Sequence, residues 1–137
     1  MYALKLGFIV NPIAGMGGKV GLKGTDGAEI LEKAIELGAY PEAPIKAKKA
    51  LEVLIPYKDQ LEIITCPGTM GEKIAREVGL EPIVLGEAKD MTGPEDTERA
   101  AKEMANMGID LLLFAGGDGT ARNIFNAVGS SLPVIGI

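Results

Sequence analysis

Short apolar segments alternate along this chain with segments of helical periodicity, and this alternation restricts the possible folds more than any other feature. Five apolar segments have the length of buried strands, at 4–10, 61–65, 82–85, 109–115 and 133–137. Helical patterns lie between them at 26–38, 45–54, 70–78 and 94–107, and another follows residue 120. Such alternation implies right-handed crossovers and a largely parallel sheet. The sequence therefore predicts an α/β protein with three layers: a parallel sheet of about five strands, in the order 3-2-1-4-5, with helices on both faces.

The segment Gly116-Gly117-Asp118-Gly119-Thr120 directly follows the fourth apolar segment. Thr120 is a favourable helix cap. Apolar residues recur after it at helical spacing, at Ala121, Ile124, Phe125 and Val128. We therefore expect Asp118 in a glycine turn between the carboxyl end of a strand and the amino end of a helix. Glycines leave backbone N–H groups open to a phosphate there, and this edge is where open α/β sheets bind ligands.

Glycines alone are equally compatible with a tight turn that binds nothing. The acidic Asp118 between them favours a functional site.

A second glycine-rich segment, 11–27, follows the first strand. It holds six glycines, with Lys19 and Lys23 among them, and could cradle a phosphate or form a flexible crossover with solvated lysines. It fits neither the G-x-G-x-x-G fingerprint nor the P-loop pattern, because Val20 stands where the first needs glycine and the second needs serine or threonine. The first and fourth strands are neighbours in the expected order, so we expect the two glycine segments to be adjacent at one edge of the sheet.

The composition excludes several kinds of chemistry. The chain has no histidine, which excludes histidine-based acid–base catalysis and histidine metal sites. Its single cysteine, Cys66, cannot form an internal disulfide and has no histidine to activate it. We interpret it as a small apolar residue of a cytoplasmic protein. A net charge of −5 argues against a general nucleic-acid surface, and no apolar segment is long enough to span a membrane.

With both glycine segments considered together, the chain resembles the ATP-NAD kinase superfamily, which also contains the diacylglycerol and sphingosine lipid kinases. Residues 116–120 match its GGDGT signature in full. Residues 6–18, Leu-Gly-Phe-Ile-Val-Asn-Pro-Ile-Ala-Gly-Met-Gly-Gly, are similar to the first-strand region of the archaeal and bacterial ATP-NAD kinase-like branch that includes acetoin-catabolism X proteins. Residues 20–27 strengthen that placement.

The resemblance implies roles for individual residues. It implies that Asp118 is the catalytic carboxylate, either as a base or as a metal-linked activator of the acceptor hydroxyl. The residues that it places at the nucleotide phosphates are Asn11, Gly15, Gly17, Gly18, Gly116, Gly117, Gly119 and Thr120. ATP or polyphosphate would be the phosphoryl donor and NAD the acceptor. Mg²⁺ would arrive with ATP rather than at a dedicated protein metal site.

The resemblance also implies a domain organisation. Residues 1–137 would form an amino-terminal α/β nucleotide-binding domain similar to those of NAD kinase and phosphofructokinase. A second, mostly β domain would hold the later Asn-Glu motif and most of the dinucleotide pocket. The sequence stops within the apolar segment 133–137, so we expect it to be a fragment of a longer protein. Exposed apolar surface would then favour pairing with a second copy.

Three other functions stay open at this point. A lipid-kinase-like phosphotransferase shares both glycine segments, but that branch often has Asn-Glu where this chain has Arg122-Asn123. A non-catalytic nucleotide-binding regulatory domain would keep the segments without the reaction. A dinucleotide-dependent dehydrogenase is disfavoured by the failed glycine fingerprint. We therefore expect a kinase that phosphorylates NAD to NADP.

Overall fold

A computed structural model describes residues 3–12, 42–86 and 93–137. Its strands form one parallel sheet in the order β3-β2-β1-β4-β5, which confirms the predicted order. The strands are β1 Leu4–Val10, β2 Leu61–Thr65, β3 Ile83–Val84, β4 Leu111–Ala115 and β5 Val134–Gly136. The α-helices of the described residues are α1 Ala43–Leu54, α2 Glu72–Glu77, α3 Pro94–Asn106 and α4 Asp118–Val128, with short 3-10 helices at Ile55–Gln60 and Gly68–Met70. The helix predicted at 26–38 lies outside the described residues.

The central strand β1 pairs in parallel with β2 on one side and β4 on the other. Its residues 6–10 are buried, as expected for a strand covered on both faces. Gly7 lies opposite Leu112 of β4, and a β-carbon on Gly7 would stand 2.8 Å from Ile109 Cδ1 and 3.0 Å from Met104 Sδ. Glycine at this position therefore lets α3 and the start of β4 pack closely on the sheet.

Two apolar clusters lie on opposite faces of the sheet, because successive side chains of a strand point to opposite sides. Phe8 and Val10 of β1 pack with α1 and α2, whereas Ile9 of β1 packs with α3 and α4. Leu51 of α1 and Met104 of α3 are fully buried at the centres of the two clusters. The predicted three-layer α/β architecture is confirmed.

The start of α4 differs from the prediction. The helix begins at Asp118, with Gly117 in extended conformation as its N-cap, so Thr120 is the third helical residue rather than a cap. The Thr120 side chain is 3% exposed because it packs inward beneath the first turn. Phe125, which was expected on the apolar face, is 66% exposed.

The outer strands are shorter than predicted. β3 has two residues and β5 has three, and Val134 and Ile135 of β5 are exposed at the sheet edge. Helix α2 begins at Glu72 rather than at residue 70, because Gly71 has a φ of 147° and interrupts the helical backbone. Among the described residues, no helix combines the length and the hydropathy needed to cross a membrane.

Candidate functional site

The carboxyl ends of β1 and β4 bring the two predicted segments together at one edge of the sheet. Asn11 directly follows β1, and residues 116–120 directly follow β4. The backbone N–H of Asn11 donates a hydrogen bond to the carbonyl of Ala115 at 2.9 Å, which extends the pairing of the two strands by one residue. The predicted adjacency of these segments is therefore confirmed for Asn11 and residues 116–120.

An inner contact, formed by Asn11, Gly116 and Thr120, joins the two segments below the surface. Asn11 Nδ2 donates a hydrogen bond to Thr120 Oγ1 at 3.1 Å. A β-carbon on Gly116 would stand 2.6 Å from Thr120 Cβ, which is too close for two carbon atoms. Glycine at 116 is therefore required for Thr120 to fold back against the strand end.

An exposed tip, formed by Gly117, Asp118 and Gly119, lies above this contact. A β-carbon on Gly117 or Gly119 would meet no atom within 4 Å, and neither glycine has a positive φ. Packing and backbone conformation therefore do not explain why these two residues are glycine. Gly119 lies within α4, where glycine is unfavourable by roughly 0.5–1 kcal/mol relative to alanine, whereas Gly117 is the N-cap, a position at which glycine is favoured. Close approach of a ligand to the backbone is a reason for glycine that remains.

Asp118 is the first residue of α4, and its side chain is exposed. The helix dipole favours a carboxylate at this position, and the N–H groups of a first helical turn have no partners within the helix. The described residues contain no group of three or more His, Cys, Asp or Glu side chains that could hold a metal ion. A cation at Asp118 would therefore need most of its oxygen ligands from a bound substrate and water.

The other predicted site residues, Gly15, Gly17 and Gly18, lie outside the described residues, as do Lys19 and Lys23. Their contribution to a phosphate site stays a prediction. The structure thus brings together Asn11 and the 116–120 segment, and it separates the latter into an inner contact and an exposed tip.

Cys66 lies at the carboxyl end of β2 and is a buried free thiol. Its burial, reinforced by the negative charge of Glu103, raises the pKa of the thiol from 9.0 to about 12. The nucleophilic thiolate is therefore nearly absent at neutral pH. Its burial agrees with the interpretation of Cys66 as a small apolar residue.

A groove of about 370 Å³ at the same end of the sheet was not predicted from the sequence. It lies between α1 and α2, and Lys48 and Glu77 approach each other across it at 3.9 Å. No local sequence signal marks it, because its walls come from three separate parts of the chain. The lining residues are Pro12, Pro44, Ile45, Lys48, Thr69, Lys73, Ile74 and Glu77.

Comparison with known proteins gives one match. A family profile described as the ATP-NAD kinase N-terminal domain matches residues 6–137, a range that includes Asn11 and the 116–120 segment. No curated protein and no solved structure matches the chain. The parallel five-stranded sheet with helices on both faces is consistent with that domain. The chain therefore belongs to the ATP-NAD kinase family, whose N-terminal domain it carries, and this membership indicates a kinase-type phosphotransferase.

Proposed function

We propose that this chain is the nucleotide-binding domain of a kinase that transfers a phosphoryl group from ATP or polyphosphate to NAD. The observation that carries the proposal is the exposed tip: two glycines that packing does not require flank a carboxylate at the amino end of a helix. Phosphoryl transfer depends mainly on positioning and charge stabilisation, so a site of this kind suits it without histidine or a reactive thiol.

The backbone of the exposed tip is proposed to receive the phosphates of the donor. The first N–H groups of α4 point out of the helix end and lack intrahelical partners, and the helix dipole favours an anion there. Because Gly117 and Gly119 carry no side chains, a phosphate oxygen can approach these groups within hydrogen-bond distance.

Asp118 is proposed to act on the acceptor hydroxyl. Its carboxylate either accepts the hydroxyl proton as phosphoryl transfer proceeds or holds the cation that accompanies the donor phosphates. The exposed carboxylate is a hard oxygen ligand of the kind that Mg²⁺ prefers, so the residue fits either role. Mg²⁺ bound with ATP would neutralise the charge of the phosphates, which otherwise repel the carboxylate.

The choice of NAD as acceptor rests on the family membership and on Arg122-Asn123, which replace the Asn-Glu pair frequent in the lipid-kinase branch. The resemblance implies that a second, β-rich domain supplies most of the acceptor pocket. We propose that the active protein is the full-length chain with both domains. We also propose that it is a homo-oligomer, which sedimentation of the full-length protein would check.

The test is an acceptor and donor panel with the full-length protein. The protein is incubated with Mg²⁺ and either ATP or polyphosphate, together with NAD, diacylglycerol or sphingosine, and products are separated by chromatography. We expect NADP. Phosphorylation of a lipid but not of NAD would replace the proposal with a lipid kinase. Nucleotide binding without transfer to any acceptor would replace it with a regulatory domain.

A further inference from the structure

The inner contact divides the 116–120 segment into residues that are exposed to solvent and residues that face the protein. Thr120 is 3% exposed, and its hydroxyl accepts the hydrogen bond from Asn11 Nδ2. Gly116 lies directly against the Thr120 side chain. The Thr120 hydroxyl is therefore directed into the protein and away from the exposed tip, where the proposed phosphate site lies.

Asn11 is held to β4 and α4 at two points. Its backbone N–H donates to the Ala115 carbonyl at the end of β4, and its side chain donates to Thr120 in the first turn of α4. These two hydrogen bonds, one on either side of the exposed tip, fix Asn11 relative to Asp118. Asn11 and Thr120 are 109 positions apart in the sequence, so no local backbone geometry sets the distance between them.

We infer that Thr120 is a positioning residue, which holds the Asn11 side chain at a set distance from the Asp118 carboxylate. This inference rests on the proposed kinase function. In phosphoryl transfer the donor and acceptor must be aligned, and a misplacement of about 1 Å costs about 100-fold in rate. The methyl and hydroxyl of Thr120 would then contribute to the rate without contacting either substrate.

The first test needs no substrate and uses the full-length protein. We compare Thr120→Val, which keeps the shape but removes the hydroxyl, with Thr120→Ser, which keeps the hydroxyl. Amide hydrogen exchange is followed at the exposed tip. Loss of the bond should raise exchange there about tenfold in the valine variant, and the serine variant should restore most of the protection. Thr69→Val, the same change at an exposed position outside the contact, should have no effect at the tip.

A double-mutant cycle shows whether the two side chains act as a pair. Asn11→Ala, Thr120→Val and the double variant are compared by hydrogen exchange and by unfolding in urea. We expect the double variant to be no more affected than the worse single variant, because each substitution already removes the shared bond. Fully additive effects would overturn the inference.

Kinetics then separate positioning from direct binding. Thr120→Val should lower kcat by about 10- to 100-fold with KM for the donor changed less than about threefold, and serine should recover most of kcat. A raised KM with unchanged kcat would make Thr120 a donor ligand and overturn the inference. Wild-type protein that transfers no phosphate would instead overturn the proposed function, whereas an active enzyme without the exchange effects would refute the positioning role alone.

Discussion

At the scale of single residues, the glycines of the 116–120 segment are glycine for different reasons. Gly116 is glycine because Thr120 packs against it, whereas Gly117 and Gly119 have open space around them. A motif that looks uniform in the sequence is thus structural at one position and available to a ligand at two others. This difference gives each residue its own expected mutational effect.

The Asp118→Asn substitution tests the proposed catalytic carboxylate. Asparagine nearly matches the volume and tolerates the helix start, so the melting temperature of the full-length protein should change little. The amide cannot accept the proton or bind a cation as the carboxylate does. We expect kcat to fall by about 10²–10⁴-fold, which corresponds to ~3–5 kcal/mol of barrier.

Donor affinity should change far less in this variant, because the backbone N–H groups remain. Asp59→Asn provides the matched control, since Asp59 is also exposed but precedes β2 at the opposite end of the sheet. A folded Asp118→Asn enzyme whose kcat stays within a few-fold of wild type would exclude the catalytic role of Asp118.

Alanine substitutions at Gly116 and Gly119 should have opposite effects. In Gly116→Ala the new methyl overlaps Thr120, and overpacking of this kind costs about 1–3 kcal/mol of unfolding free energy. In Gly119→Ala the methyl meets no protein atom, so stability should be unchanged or slightly higher, whereas donor affinity should fall severalfold. Urea unfolding and calorimetric titration with ATP check both. Normal ATP affinity in Gly119→Ala would argue against a phosphate at the exposed tip.

At the scale of elements, the segments with strong periodicity were predicted best. β1 and β2 have the predicted bounds, and α3 begins at Pro94 as expected. The first turn of α3 is closed by Asp96, whose carboxylate accepts the Gly93 N–H at 2.9 Å and pairs with Arg99 at 2.8 Å. Helix starts of this kind are encoded in neighbouring residues. The predicted start of α4 was wrong. Threonine is a residue type that favours the N-cap position, but the Thr120 side chain lies in the inner contact instead.

Gly7→Ala tests the packing of α3 and β4 on the central strand. The added methyl would stand 2.8 Å from Ile109 Cδ1 and 3.0 Å from both Met104 Sδ and Leu112 Cδ1, which is closer than van der Waals contact. We therefore expect a loss of ~1–3 kcal/mol of unfolding free energy. Chemical denaturation measures it. Combining it with Met104→Ala creates room for the methyl, and the double variant should then lose less than the two single losses together. Additive losses would show that the Gly7 position does not limit the approach of α3.

At the scale of the whole molecule, the raised pKa of the Cys66 thiol makes the free energy of unfolding depend on pH. The folded pKa of the thiol is about 12, against an ordinary value of 9.0, because burial disfavours the thiolate. Below pH 9 both states hold the proton, so the thiol adds no pH dependence. Between pH 9 and 12 the unfolded state releases its proton first, and the folded state loses stability as the pH rises.

The Cys66→Ala variant isolates this effect. Alanine leaves a small cavity, so the variant should be less stable than wild type at pH 8. The difference in unfolding free energy between the two proteins should narrow by about 1 kcal/mol between pH 8 and pH 10, because only the wild type carries the titrating thiol. Urea unfolding of both proteins at the two pH values measures the gap. An unchanged gap would mean that the thiol is not shielded from water in the folded state.

The sequence by itself determined the strand order, the three-layer architecture and the meeting of Asn11 with the 116–120 segment at one edge of the sheet. These follow from periodicity, turn residues and the right-handed crossover rule, which act over short stretches of chain. Only the tertiary structure decided that Thr120 faces inward, that Phe125 faces solvent, and that a groove lies between α1 and α2. The physical reason is that a side chain's partner depends on how a helix crosses the sheet, and Asn11 and Thr120 meet across 109 residues of sequence.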